Sequence, residues 1–234
     1  MGVEFTANGK TMKKMVKAIE HINEECIFTF DNTGMLVRMS DVYKHKMIEL
    51  FIHRDTFQTY ECNTPFAIGV VIDRIKDVTK TLSMKDEMSF EHKDDDSVIT
   101  LKAKGLSRTV KLIDTNMIGV VPFLNLEHKY EFEMDSTPLK SFMKAASKTS
   151  NFDVLTASNN VTFLTETDEG GIDVNWSVEN SFESETNYPT EALIKSTATM
   201  AGLINVKGDQ NGVLQIHWDL DNNSYINALI APRL

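Results

Sequence analysis

Apolar and polar residues alternate along this chain with two different periods. From Gly9 to Ile22 the apolar positions Met12, Met15, Val16, Ile19 and Ile22 recur at helical spacing, and Lys10, Lys13, Lys14 and Lys17 fall together on the other side. Asn8 is suited to cap that helix. Two short apolar runs follow, Cys26 to Phe30 and Met35 to Met39, around Asp31-Asn-Thr-Gly34, which is a hairpin signature. Period-two runs at 46–52, 58–62 and 66–70 extend the strands. A second helix is predicted over 71–84, with Arg74, Lys76 and Lys80 opposite Ile72, Ile75, Val78 and Leu82. Strands are predicted again at 87–92, 97–103 and 107–113.

The second half repeats this order. A strand at 130–134 leads into a helix over 138–149, with Asp135 or Ser136 as cap and Pro138 in the first turn. Lys140, Lys144 and Lys148 face away from Leu139, Phe142, Met143 and Ala146. A hairpin at 152–156 and 161–165 turns at Ser158-Asn-Asn160, so helix and hairpin recur about 126–128 residues after their first occurrence. A fourth helix over 190–203 comes about 119 residues after its counterpart, which predicts a second half trimmed near 179–189. Strands at 203–207, 213–219 and 225–231 close the chain. Residues 114–126 mix turn residues with apolar ones that look exposed, and read as an extended connector. The expected fold is therefore α+β, as two similar halves, each with two helices on antiparallel sheets. The expected boundaries are 1–113, a connector at 114–126, and 127–234.

Composition narrows the class. A hydrophobic content of 41% over 234 residues supports a real core. The apolar runs fall well short of the roughly 18–20 residues needed to cross a bilayer, and the N-terminal residues lack a signal-peptide layout. Cys26 and Cys62 sit in apolar strand contexts and read as buried, reduced thiols, so an intracellular protein of cytoplasm or nucleus is expected.

Charge adds the decisive asymmetry. The chain carries 24 Lys+Arg against 34 Asp+Glu, yet the four helical segments hold 11 of those bases and only 4 of the acids. One basic surface on an acidic body suggests a polyanion met in one place, with the rest of the surface repelling it.

Several segments together resemble the sliding clamp family of proliferating cell nuclear antigen. These are Met12-Lys-Lys-Met-Val-Lys-Ala-Ile19, Ile22-Asn-Glu-Glu-Cys26, Phe57-Gln-Thr-Tyr-Glu-Cys62, Ile68-Gly-Val70, Val121-Pro122 and Leu229-Ile-Ala-Pro-Arg-Leu234. The resemblance covers essentially the whole chain and rests on order and spacing more than on any one motif. It implies a DNA polymerase processivity factor: a closed ring, most often of three two-domain subunits, placed around duplex DNA by an ATP-driven loader. Such a ring tethers polymerases, nucleases and ligases through short apolar peptides, catalyses nothing, and uses no cofactor or metal. The short second domain and the lack of an acidic tail after Leu234 suggest an archaeal or viral version.

The resemblance also implies sites. Lys13, Lys14, Lys80 and Lys144 match basic positions of the family's DNA-facing helices, and helical facing adds Lys10, Lys17, Arg74, Lys76, Lys140, Lys148 and Lys195. Flexible ammonium groups suit mobile phosphate contacts that read no bases. Glu20 and Asp77 stand where eukaryotic clamps tend to carry lysine. A partner-peptide pocket would draw on Met39, Met47, Val121, Pro122, Val213, Leu229, Ile230, Ala231 and Pro232, with ordinary core the competing reading for Met39, Met47 and Ile230. The loop Ser40–His45 is one residue longer than usual. Subunit contact would join the strand at 108–113, with Arg108 and Lys111, to the strand at 171–178, with Asp173, Trp176 and the nearby Glu179.

Other constellations carry less. Asp94-Asp95-Asp96 reads as a solvated turn, and His217 with Asp219 and Asp221 as surface. The sequence holds neither a phosphate-cradling glycine loop nor a nucleophile elbow. Two alternatives remain: one subunit of a heteromeric, checkpoint-like clamp, or a non-clamp ligand binder on a duplicated α+β fold.

Overall fold

A computed structural model describes residues 2–93, 96–157, 159–178 and 182–233. The chain divides into two compact units: Met1–Met39, Ile48–Pro122 and Leu220–Ile226 form the first, and Ser40–Met47, Phe123–Asp219 and Asn227–Leu234 the second.

The first half runs β1 (Val3–Asn8), α1 (Gly9–Ile19), β2 (Glu25–Asp31), β3 (Gly34–Ser40), β4 (Lys46–His53), β5 (Thr59–Cys62), β6 (Phe66–Val71), α2 (Ile72–Thr79), β7 (Glu87–His92), β8 (Val98–Ala103) and β9 (Leu106–Lys111). Its strands lie in the antiparallel order β5-β1-β7-β8-β9 and in the run β4-β3-β2-β6. The second half runs β10 (Tyr130–Asp135), α3 (Ser136–Ala145), β11 (Asn151–Ala157), β12 (Asn160–Thr167), β13 (Gly170–Ser177), β14 (Ser184–Pro189), α4 (Thr190–Ser196), β15 (Leu203–Gly208), β16 (Leu214–Asp219) and β17 (Tyr225–Ile230). Here the orders are β13-β12-β11-β14 and the run β10-β15-β16-β17. The strand–helix–strand sequence is thus repeated. Only the first copy, among the described residues, carries a 3-10 turn (Arg54–Thr56) and β5 between its fourth strand and its second helix. That is where the expected trimming falls, although Ser158 of the predicted turn and residues 179–181 lie outside the described residues.

Two strands, β1 and β14, were not expected. β1 alternates Val3, Phe5 and Ala7 inward, a period-two signal that was there to be read. β14 is Ser-Glu-Thr-Asn-Tyr-Pro, with Tyr188 its one large apolar side chain, so hydropathy hides it. The helices are shorter than predicted, and for α2 and α4 the reason is shared. The Thr79 hydroxyl donates to the Lys76 carbonyl at 3.0 Å, Thr81 to Val78 at 2.8 Å, and Thr197 to Leu193 at 2.7 Å. These side chains take up carbonyls at the ends of α2 and α4 and favour the stop. α3 runs on as a 3-10 turn, Ala146–Lys148.

Aromatic rings fill both cores. Phe5 lies flat against Phe90 at 4.7 Å and meets Phe57 at 4.5 Å. In the second unit Phe152 and Phe163 stack at 5.7 Å, and Phe142 of α3 meets both edge-on. Cys26 and Cys62 are buried free thiols, and burial pushes Cys26 up in pKa.

The start of α1 is fixed from two directions. The Asn8 carboxamide accepts from Thr11 N–H at 2.8 Å, and Gly9 N–H donates to the Asp86 carbonyl at 2.7 Å. A Cβ on Gly9 would stand 2.0 Å from the Ser83 carbonyl oxygen, so only glycine admits this close approach. Asp86 is itself pinned. Its carboxyl accepts from the Lys104 ammonium at 2.7 Å and from the Ser83 amide, and these bonds, Lys104 first, hold its pKa at about 2, below the usual 3.8. A carboxyl lowered on folding stabilises above its unfolded pKa, and that contribution is lost as pH falls from 3.8 towards about 2. Lys104→Ala should therefore move the Asp86 midpoint upward towards 3.8 in a carboxyl-detected NMR titration; an unmoved midpoint would exclude the ammonium as the main cause.

Candidate nucleic-acid and partner interfaces

The helices present their cations as the sequence predicts, but in two electrostatic states. On α1, Gly9, Met12, Met15, Val16, Ala18 and Ile19 are buried, while Lys10 and Lys17 are exposed and Lys13 and Lys14 half-exposed. On α3, Leu139 and Phe142 are buried and Lys140 and Lys144 are exposed; Lys148 is exposed on the following 3-10 turn. Among the described residues, Lys13, Lys14, Lys17, Lys140, Lys144 and Lys148 have no carboxylate within 4.0 Å. Lys10 has, among the described residues, Asp221 alone, at 3.9 Å across well-exposed side chains, an interaction worth little.

α2 and α4 differ. Lys76 bonds Glu20 at 2.7 Å, with side chains 29% and 15% exposed, and has Asp73 at 3.7 Å. Lys80 meets Asp77 at 3.5 Å. Arg74 donates to the Lys111 carbonyl at 2.7 Å. Lys195 is ion-paired to Glu191 one turn earlier on α4.

Both strands expected at the subunit contact end their sheets, β9 after β8 and β13 before β12. β9 is exposed along its length except at Val110. Arg108 reaches Asp77 at 3.8 Å. On β13, Asp173 points outward and accepts from the Asn175 amide at 2.7 Å. Trp176 points the other way, its ring 5.3 Å from Phe163 and 6.1 Å from Phe132, so its indole is half-buried packing and only its backbone can serve the edge. Glu179 lies outside the described residues.

Residues 3–120 match the family described as proliferating cell nuclear antigen, N-terminal domain. The chain belongs to the proliferating cell nuclear antigen family. It is 23% identical over 240 residues to the DNA polymerase sliding clamp of Thermofilum pendens, covering 97% of each. It is 30% identical over 152 residues to the DNA polymerase sliding clamp of Archaeoglobus fulgidus, covering 64% of this chain and 61% of that one. Its fold matches the structure of A. fulgidus PCNA with the C-terminal region of FEN-1 bound, with a TM-score of 0.90, 22% identity, and 99% and 98% of the two chains covered. The protein is a sliding clamp.

In this clamp the apolar residues expected to line a peptide pocket separate by exposure. In the second unit Met47, Leu229 and Ile230 are 8%, 7% and 0% exposed, and in the first Met39 is 2% exposed. These four are buried core residues. Val121, Val213, Ala231 and Pro232 remain half-exposed, and Pro122 exposed. The Ala231 amide donates to the His45 carbonyl at 2.9 Å, which ties the C-terminal segment to the loop before β4. The connector carries the exposed apolar residues expected there, Met117 and Val120 at 81% and 80% exposed, whereas sequence reading did not single out Val42 and Tyr43 on the loop before β4, 77% and 76% exposed. Apolar side chains among turn residues were the available signal.

The constellations set aside stay structural. His217 engages Asn227 at 2.8 Å and Asp219 at 3.2 Å. Asp94 and Asp95 lie outside the described residues. Among those described, no group of three His, Cys, Asp or Glu is disposed to hold a metal ion, and no helix is long and apolar enough to cross a membrane.

Proposed function

We propose that copies of this chain close head to tail into a ring of three around duplex DNA and tether replication and repair enzymes to it. The observation that carries this reading is the pairing of opposite properties on one chain. Lysine-bearing helix faces sit on a body of net charge −10, and two open sheet edges differ in sign, β9 with Arg108 and Lys111 and β13 with Asp173. An edge strand left open invites pairing with another chain, and a heterologous contact that closes would pair β9 and β13 in every copy. Topological enclosure needs no tight grip, so weak, sequence-independent phosphate contacts suffice and the clamp stays mobile. Opening a closed ring requires work, which supports an ATP-driven loader as partner.

Polymerases, nucleases and ligases would dock by short apolar peptides against the half-exposed Val213, Ala231 and Pro232 of the second unit. Docking of this type is anchored by a few apolar side chains with main-chain pairing beside them. The chain's own part is binding and positioning, with chemistry left to the tethered enzymes.

Native mass tests the ring. Light scattering at moderate salt should give roughly 79 kDa, three times the 26.4 kDa chain. A 26.4 kDa species across micromolar concentrations would overturn the self-closing ring and favour a heteromeric clamp that needs other subunits.

A further inference from the structure

We propose that, within the DNA-encircling reading above, duplex contact is carried by the first helix of each repeat, α1 and α3, and that α2 and α4 are electrically neutral spacers. The argument rests on where the acids lie. The four helical segments defined from sequence contain four acidic residues, Glu20, Asp73, Asp77 and Glu191, and each is ion-paired to a basic residue of α2, its C-cap Lys80 or α4. Within its helical span, α1 has four lysines and no acid. α3 has two lysines and no acid, with Lys148 following. α2 has two basic and two acidic residues, and α4 has one of each.

Distance decides the consequence. A carboxylate within 4 Å of an ammonium leaves a small dipole, whose field at a mobile phosphate falls off faster than that of a lone charge and is screened within a Debye length of about 8 Å at physiological salt. Turning Lys76 towards DNA would also strand Glu20, only 15% exposed, without its partner. Glu191 one turn before Lys195 is the favourable orientation for a helical pair. Arg74 donates to the Lys111 carbonyl, a bond that holds its guanidinium against β9. Among the described residues, Lys13, Lys14 and Lys17 of α1 and Lys140, Lys144 and Lys148 of the α3 face have no such competitor, and Lys10 has a weak, well-exposed one in Asp221, so the cations of these faces remain free to exchange between phosphates.

Three triple variants that remove equal charge test this. They are Lys13→Ala/Lys14→Ala/Lys17→Ala, Lys140→Ala/Lys144→Ala/Lys148→Ala and Lys76→Ala/Lys80→Ala/Lys195→Ala. Binding to a fluorescently labelled duplex is followed by anisotropy over a salt series, with ring mass checked by light scattering. Each phosphate contact contributes about 0.9 to the slope of log K against log salt, so the first two variants should each lower the slope by about 2 and the third by less than about 1. A fourth variant, Glu20→Gln/Asp73→Asn/Asp77→Asn/Glu191→Gln, unmasks the paired cations and should tighten binding about fivefold at low salt. Equal loss in all three lysine variants, or no gain in the fourth, overturns the division of labour while leaving DNA encirclement standing. No binding of the unaltered clamp at any salt would overturn encirclement itself, and this proposal with it.

Discussion

Reversing the charge of β9, by Arg108→Glu with Lys111→Glu, should convert the proposed ring into monomers. Both side chains are exposed, so the substitution leaves the core intact; Val110 is the one buried residue of the strand. The intramolecular partner lost, Asp77 at 3.8 Å from a half-exposed guanidinium, is worth little. The intermolecular effect is larger, because the proposed mate β13 carries Asp173 outward, and Asp168 and Glu169 precede it in the hairpin turn. Like charges forced together across an interface cost several kcal/mol; about 3 kcal/mol weakens each contact more than a hundredfold. The proposed ring needs three such contacts at once, so its population should collapse at micromolar protein. Light scattering over a dilution series reads this directly, and Asp173→Lys added to the reversed chain should restore part of the ring. A mass unchanged by the double reversal would remove β9 as the subunit edge.

Which strands end their sheets was half legible in the sequence, and the half that was hidden is instructive. Local patterns located α1, because Asn8, Met12, Met15, Val16 and Ile19 state cap and period within one stretch of chain. They located the hairpin β2–β3 for the same reason. They failed at β14, whose burial rests on Thr186 and Tyr188 accepting a place between polar neighbours. Trp176 was assigned to the edge because its strand was, but alternation along β13 puts its ring inward with Ile172 and Val174. The electrostatic split between α1 and α2 was further out of reach. Glu191 to Lys195 is a one-turn pair that spacing reveals, whereas Glu20 to Lys76 joins residues far apart in the chain and exists only because α1 packs against α2. Exposure of the apolar residues near the C-terminus likewise depended on packing: Ile230 is sealed and Ala231 is not.

Phe163→Ala should be among the most damaging single truncations in the second unit. The ring is fully buried on β12, flat against Phe152 of β11 at 5.7 Å, with Trp176 of β13 edge-on at 5.3 Å and Phe142 of α3 at 6.2 Å. One side chain therefore joins three strands and the helix that carries Lys140 and Lys144. Removing a buried phenyl costs about 3–5 kcal/mol, from lost transfer free energy and the cavity left behind. That is a large fraction of the 5–15 kcal/mol typical of a folded domain. The loss should be local first: amide exchange should accelerate in β11, β12, β13 and α3 while the Phe5–Phe90 core of the first unit keeps its protection. Function should follow the same path, because β13 would loosen as a subunit edge and α3 as a phosphate-facing helix, although Phe163 touches neither partner. Phe163→Leu, which keeps most of the volume, should recover more than half of the stability. A denaturation midpoint for Phe163→Ala equivalent to a loss below about 1 kcal/mol would mean that the site collapses without a cavity, and the link from this aromatic cluster to both surfaces would fall.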